Sequence, residues 1–247
     1  MLELETLNKS FGGLHAVRDV SFEAVAGGVT SIIGPNGAGK STLFNLISGA
    51  IQPDWGRVRL GGKDITGLPT NRIARMGLAR SFQITNLFAR LSVRENVRLA
   101  LQARETRSGY LVSLGRLGAL DARADALLEE FGLRAYSAEP ARTLSHGDQR
   151  RLEIAVCMGS DPRVLLLDEP TQGMSPGETA ATDELVKRLA GRVTIVLIEH
   201  DIDLVMGISD KIVVLHQGAK LAEGTPAEVR ADRAVQDAYL GEQNEPA

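Results

Sequence analysis

Residues 34–42 constrain this chain more than any other stretch. They read Gly34-Pro35-Asn36-Gly37-Ala38-Gly39-Lys40-Ser41-Thr42, and they follow a short β-rich run, Val29–Ile33. An apolar helical pattern comes next, with Leu43, Phe44, Leu46 and Ile47. The order strand, G-x-x-x-x-G-K-S, helix is the Walker A phosphate loop in the context that gives the motif its meaning. Glycines let the backbone wrap an anion without Cβ clashes. Successive N–H groups and the helix N-terminus then form an anion site. Lys40 places a point charge on β- and γ-phosphates, and Ser41 offers a hydroxyl to Mg2+. Gly34, Pro35, Asn36, Gly37, Ala38, Gly39, Lys40, Ser41 and Thr42 are therefore the candidate nucleotide-binding residues. The loop alone does not separate kinases, GTPases and transport ATPases.

Further β-rich runs at Arg57–Leu60, Val164–Asp168, Val193–Ile198 and Ile212–Leu215 alternate with helical patterns such as Gly177–Leu189. Such alternation predicts an α/β fold with parallel strands joined by crossover helices. Val164–Leu167 and Ile195–Ile198 are apolar at every position, which suits central strands covered on both faces. The first of these ends in Asp168-Glu169. Ligands of parallel sheets sit at the carboxyl ends of strands. Asp168 is thus placed to reach the metal held by Ser41, and Glu169 to orient and deprotonate an attacking water.

From about residue 86 to 158 the strand signal fades. Helical spacing recurs there, as in Leu152, Ala155 and Val156. Residues 106–118 are rich in Gly, Ser and Arg and are expected as a loop. The chain is expected to divide into an α/β core at 1–85 and 159–247 and an inserted helical subdomain at 86–158. Of its 247 residues, 43% are hydrophobic and 24% charged, a globular balance. The net charge of −3 gives no basic field for nucleic acid. Cys157 is the single cysteine, so a reducing compartment is expected; without Cys or His neighbours at metal spacing it reads as a core residue. No apolar run is long enough to span a bilayer, and the N-terminal residues lack a signal-peptide pattern. A cytosolic protein that meets a membrane only through a partner is the expectation.

Leu144-Ser145-His146-Gly147-Asp148-Gln149, just upstream of Asp168, resembles the L-S-G-G-Q segment of ABC (ATP-binding-cassette) ATPases. Other elements of that family follow in order over nearly the whole chain. Phe11 resembles the aromatic that stacks on adenine, Gln83 the Q-loop glutamine that serves both metal and catalysis, and His200 the switch histidine. The resemblance implies a P-loop NTPase core with an antiparallel β subdomain besides the helical one. It implies ATP with Mg2+ (held by Ser41, Gln83 and Asp168) and catalysis by Glu169, His200, Lys40 and Gln83. Ser145, His146, Gly147 and Asp148 would complete the nucleotide site of the opposite subunit. Ile84, Leu87, Phe88 and Leu91, close behind Gln83, would line either a groove for a transmembrane partner or the core of the helical subdomain. Three positions depart from the family: His146 for glycine, Asp148 for glutamine, and Ser175 for the usual D-loop aspartate.

Those departures, with Ile198-Glu199-His200-Asp201 and Glu223-Gly224-Thr225-Pro226, resemble the first of the two ATP-binding subunits of branched-chain amino acid importers. Relatives handling urea, amides or aromatic acids are similar. Lipopolysaccharide-export ATPases share the Tyr239–Glu242 ending but not the altered signature. Two further readings compete: a soluble ABC ATPase of repair or translation, and a catalytically silent regulatory cassette. The implied partners are transmembrane permeases, a second ATP-binding subunit or a second copy, and indirectly a solute-binding protein. The implied location is the inner face of the cell membrane, and no nucleic-acid partner is expected.

Overall fold

A computed structural model describes residues 1–81, 87–105 and 114–242. The chain packs as two compact units. One comprises 1–78, 163–169 and 186 onward; the other comprises 79–162 and 170–185.

The first unit is built on strands β1 (Leu2–Phe11), β2 (Leu14–Glu23), β3 (Val29–Ile33), β4 (Trp55–Leu60) and β5 (Lys63–Asp64). After β6 (Leu78–Arg80), where the chain passes into the second unit, β7 (Val164–Asp168), β8 (Thr194–Ile198), β9 (Lys211–His216) and β10 (Ala219–Gly224) complete it. Within this unit the strands lie in the order β5-β4-β1-β2-β10-β9-β3-β8-β7. The stretch β9-β3-β8-β7 is parallel, while β1 pairs antiparallel with both β2 and β4. The sequence places the change. β3, β7 and β8 are buried at all five positions, as runs rich in Val, Ile and Leu require when both faces are covered. β1 instead alternates, burying Leu2 and Leu4. Its register slips between Leu4 and Leu7, where Thr6 takes a φ of 47°, and this irregularity turns Leu7 inward.

Polar side chains in the covered strands are paired. Thr30 Oγ1 accepts from the Val25 N–H at 3.0 Å, and Ser31 Oγ lies 2.6 Å from Ser209 Oγ. Helices α1 (Lys40–Ile47) and α2 (Thr70–Arg75) follow β3 and β5. The Glu223–Pro226 motif has a local role: Thr225 caps a later helix of residues 226–231 through a reciprocal capping box with Glu228.

The second unit contains α3 (Val93–Glu105), α4 (Leu114–Glu130), α5 (His146–Gly159) and the start of α6 (Pro176–Leu189). Val93, Val97, Leu101, Leu120, Ala124, Leu128 and Leu152 form its apolar interior. Arg94 and Arg98 of α3 pair with Asp125 and Asp121 of α4 at 2.7 and 3.3 Å. Residues 114–118, expected as loop, are the opening turn of α4. The buried i, i+4, i+8 series Leu120, Ala124, Leu128 makes this a packed helix, and packing outweighs the low helix propensity of Gly115 and Gly118. Residues 106–113 lie outside the described residues.

Residues 170–185 belong to this unit, although the sequence pattern places them with the core. His146 and Gly147 of α5 meet Gln172 and Glu178 there. The remaining helices, α7 (Ile202–Ile208), α8 (Pro226–Ala231) and α9 (Arg233–Glu242), belong to the first unit. Among the described residues no helix is long and apolar enough to cross a membrane.

Cys157, expected in the core, is only partly buried. Burial of its sulfur and the neighbouring Glu153 carboxylate push the thiol up to about 12. A free cysteine titrates near 8.5, so at pH 8 the native thiol should alkylate with iodoacetamide about a thousandfold more slowly than a free one. Equal rates in native and urea-unfolded protein would contradict this.

Candidate functional site: three strand ends and a glycine-walled loop

Backbone register brings the ends of three predicted strands to one edge. Ile32 of β3 pairs with Ile198 of β8, and Ile198 pairs with Asp168 of β7. The turns leaving these three parallel strands carry the phosphate loop, Glu199-His200 and Asp168-Glu169. Adjacent strands are about 4.8 Å apart, so the loop and the Asp168 carboxylate flank a gap two strands wide. A polyphosphate with a hydrated cation is of that size.

The loop is walled by backbone. A Cβ on Gly34 would meet the Leu215 carbonyl at 2.2 Å, and one on Gly39 would meet the Ala16 carbonyl at 2.3 Å. Both glycines have positive φ, 152° and 98°. Close approach and backbone conformation each exclude a side chain here. The Gly218 N–H donates to the Ala38 carbonyl at 3.2 Å, so the β9–β10 turn braces the loop from outside. Gly37 also has positive φ, but a Cβ there would meet nothing within 4 Å, so its demand is conformational alone.

Lys40 is the first residue of α1 and only 9% exposed. Its ammonium donates to the Gly34 carbonyl and, at 2.9 Å, to that of Pro35. The charge therefore lies inside the loop's curve. Burying a charge is costly, and an anion within the loop offsets that cost. No acidic residue occupies the first turn of α1, and its cap, Gly39, offers no side chain. The positive end of the helix is thus open to an anion. Asn36, Gly37 and Ser41 are exposed, Thr42 half-buried, and Gly34, Pro35 and Ala38 buried.

Asp168 is buried and Glu169 half-buried. Glu169 has a φ of 46°, in the left-handed region that a non-glycine residue enters at a cost of about 1–3 kcal/mol. Its N–H donates to the Ile198 carbonyl at 2.9 Å, which ties the two acid-bearing turns together. Successive residues at a strand end diverge, so the two carboxylates can serve different partners. Ser41 and Asp168 offer only oxygen donors, the set a small hard cation takes alongside phosphate and water. His200 follows β8 with its side chain 63% exposed, and Asp201 caps α7 by accepting from the Leu204 N–H at 3.1 Å.

Phe11, at the tip of the β1–β2 hairpin, is 51% exposed, with the Lys9 ammonium 5.6 Å from its ring centroid. Its exposed ring suits stacking on a base.

The second unit presents the other predicted segment. Ser145 caps α5 and accepts from the Asp148 N–H at 3.1 Å. Its hydroxyl donates to the Asp148 carboxylate at 2.9 Å, and that carboxylate pairs with Arg151. Asp148 thereby acquires a role the family's glutamine does not suggest: an acid in the first turn, favourable to the helix. His146 Nε2 lies 3.2 Å from the Gln172 carbonyl. Gly147 is buried, and a Cβ there would meet Glu178 Oε1 at 2.5 Å.

Glu178, which the sequence pattern does not single out, lies against the Ser145 segment. It accepts from the Ser175 N–H at 3.0 Å and from the Ser175 hydroxyl at 2.7 Å. These bonds hold its carboxyl below the usual range, and the His146 and Arg151 charges add to the effect. The S-x-x-E spacing of a helix start is the available signal. Ser175, in the D-loop position, is therefore a helix cap with a carboxylate attached.

Gln83 and Ile84 lie outside the described residues. Of the apolar residues that follow them, Phe88 is 61% exposed and so does not belong to the unit's core, while Leu87 and Leu91 are half-buried.

Comparison with known proteins shows what the chain is similar to. Residues 17–172 match the family described as ABC transporter. Residues 219–244 match one described as branched-chain amino acid ATP-binding cassette transporter. The chain is 45% identical to the high-affinity branched-chain amino acid transport ATP-binding protein BraF of Pseudomonas aeruginosa, over 98% of each chain. Among solved structures, it superposes on the ADP conformation of an ATP-binding cassette of an ABC transporter with a TM-score of 0.85. Identity there is 30%, and 98% of each chain is covered. It also superposes on the dimeric structure of a bacterial ABC transporter cassette with a TM-score of 0.79 and 26% identity, covering 92% of this chain and 99% of that one.

Proposed function

Because this chain belongs to the ABC transporter family, whose cassettes are the ATPase subunits of transporters, we propose that it powers the import of branched-chain or closely related amino acids. The observation that carries the reading is similarity along the whole length to amino acid transport subunits, including the 219–244 segment.

The catalytic roles follow from the chemistry of each position. The loop at 34–42 cradles the phosphates with Lys40 among them. Phe11 stacks on the adenine. Ser41 and Asp168, joined by Gln83, would hold Mg2+, which when bound offsets phosphate charge. Glu169 orients a water in line with the terminal phosphate and accepts its proton, leaving phosphate and ADP. His200 donates to that phosphate and so senses its presence.

Ser145 with the following N–H groups of α5 meets the terminal phosphate bound by the partner cassette. His146 and Asp148 flank that contact. ATP then favours the closed pair and ADP does not, since a ligand shifts an equilibrium only through differential affinity. The pair forms with a sister subunit or a second copy. The helical segment at 86–158 and the chain around Gln83 pass the motion to permeases, which hold the cassette at the inner face of the membrane.

The test is uptake by proteoliposomes that carry the cognate permeases, this chain and its sister subunit, with a leucine-binding protein outside. ATP-dependent leucine accumulation is expected. Uptake of urea or an amide with none of leucine, isoleucine or valine would overturn the assignment.

A further inference from the structure

Glu199 is wholly buried, with 0% of its surface exposed, yet none of the hydrolysis chemistry uses it. A carboxylate removed from water costs several kcal/mol unless partners satisfy it. The cap of α7 is Asp201 and not Glu199. One Glu199 oxygen, Oε2, accepts from the His200 N–H at 3.2 Å, and the same oxygen lies 3.7 Å from His200 Nδ1. The imidazole is thus flanked on one side by a fixed carboxylate and is otherwise largely open. Glu169 is tied to the same strand end through the Ile198 carbonyl.

We propose that Glu199 is a positioning residue that holds His200 as a donor of two hydrogen bonds, one to the buried carboxylate and one to the terminal phosphate. The proposal rests on the reading of His200 as the phosphate-sensing residue. An ionised carboxylate only accepts, so the nitrogen beside it, Nδ1, must carry hydrogen for the contact to be favourable. A small rotation of the ring closes 3.7 Å to bonding distance. Nε2 is then left as the outward edge; facing a phosphate it too must donate, and a ring already carrying hydrogen on Nδ1 can do so only as imidazolium, the form that two flanking anions favour. With ATP bound the ring would lie between two anions, its Nδ1 edge turned to the buried carboxylate.

The experiment is a double-mutant cycle on steady-state ATP hydrolysis by the assembled transporter. Glu199→Gln keeps an accepting oxygen and the side-chain shape while removing the charge. It should lower kcat about tenfold, the effect of weakening one charge-assisted bond, with KM for ATP within about twofold. In a His200→Ala background the same change should cost less than about twofold further. Equal losses in both backgrounds, or no loss in the single variant, would overturn the proposal while leaving the His200 reading intact. If His200→Ala itself leaves kcat unchanged, that reading fails and the proposal with it.

A second measurement guards against a variant that does not fold. Two-bond nitrogen–proton NMR of the native chain, with His200→Ala supplying the assignment, should show hydrogen on Nδ1 of His200. A bare Nδ1 would also overturn the proposal.

Discussion

Glu169→Gln should bind ATP with near-native affinity, hydrolyse it at least about a hundredfold more slowly, and accumulate as an ATP-bound dimer. The carboxylate removed is the one placed to take a proton from water, and general-base catalysis is worth about 10²–10⁴ in rate. The amide keeps the shape and an accepting oxygen, so the left-handed turn at φ 46° and its N–H bond to the Ile198 carbonyl should persist. Asp168, Lys40 and the loop are untouched. Binding and catalysis therefore separate, and the ATP-favoured closed state has no exit. Phosphate release reports the rate, and light scattering with and without ATP reports the dimer. Turnover within about threefold of native would remove Glu169 from the role of base, because loss of a general base costs far more.

Lys40→Ala should lose nucleotide rather than turnover alone. ATP affinity should fall at least about a hundredfold, equivalent to about 2.7 kcal/mol. Two effects act in the same direction. The alanine supplies no charge to the phosphates, and the carbonyls of Gly34 and Pro35 lose the ammonium that holds the loop in its curve. Lys40→Arg should not rescue, since a planar guanidinium cannot occupy the space of a compact ammonium inside a backbone loop. Calorimetry with ATP decides: unchanged affinity in the alanine variant would contradict the placement of phosphate in this loop.

The parts that local chemistry determines are the legible ones. β7 and β8 are apolar at nearly every position because both faces are covered, and the sequence pattern locates these strands and β3 to within a residue. The loop is legible because glycine spacing, a lysine and a following apolar helix are all required by one anion. The cause behind individual residues needs coordinates. Gly34 and Gly39 are fixed by carbonyls of Leu215 and Ala16, which arrive from distant strands and leave no trace in the local sequence.

In sequence, Asp148 and Ser175 look like losses of family function. Each proves to be a helix-start residue with a defined partner, Ser145 in one case and Glu178 in the other. The opening turn of α4 reads as loop because its glycines dominate the local pattern, whereas the helix is set by the buried series beginning at Leu120. Glu199 reads as one letter of a motif. Only its complete burial, with one carboxylate oxygen beside the His200 ring, shows that the position has a physical demand.

The most direct measurement is a structure of the Glu169→Gln chain, paired with its physiological partner or itself, with ATP and Mg2+. The terminal phosphate held over Lys40 of one cassette should lie within hydrogen-bond reach of the hydroxyl at the start of the mate's signature helix, which is Ser145 where the mate is a second copy. A closed, ATP-loaded pair in which that helix start lies well beyond reach of any phosphate would contradict the account.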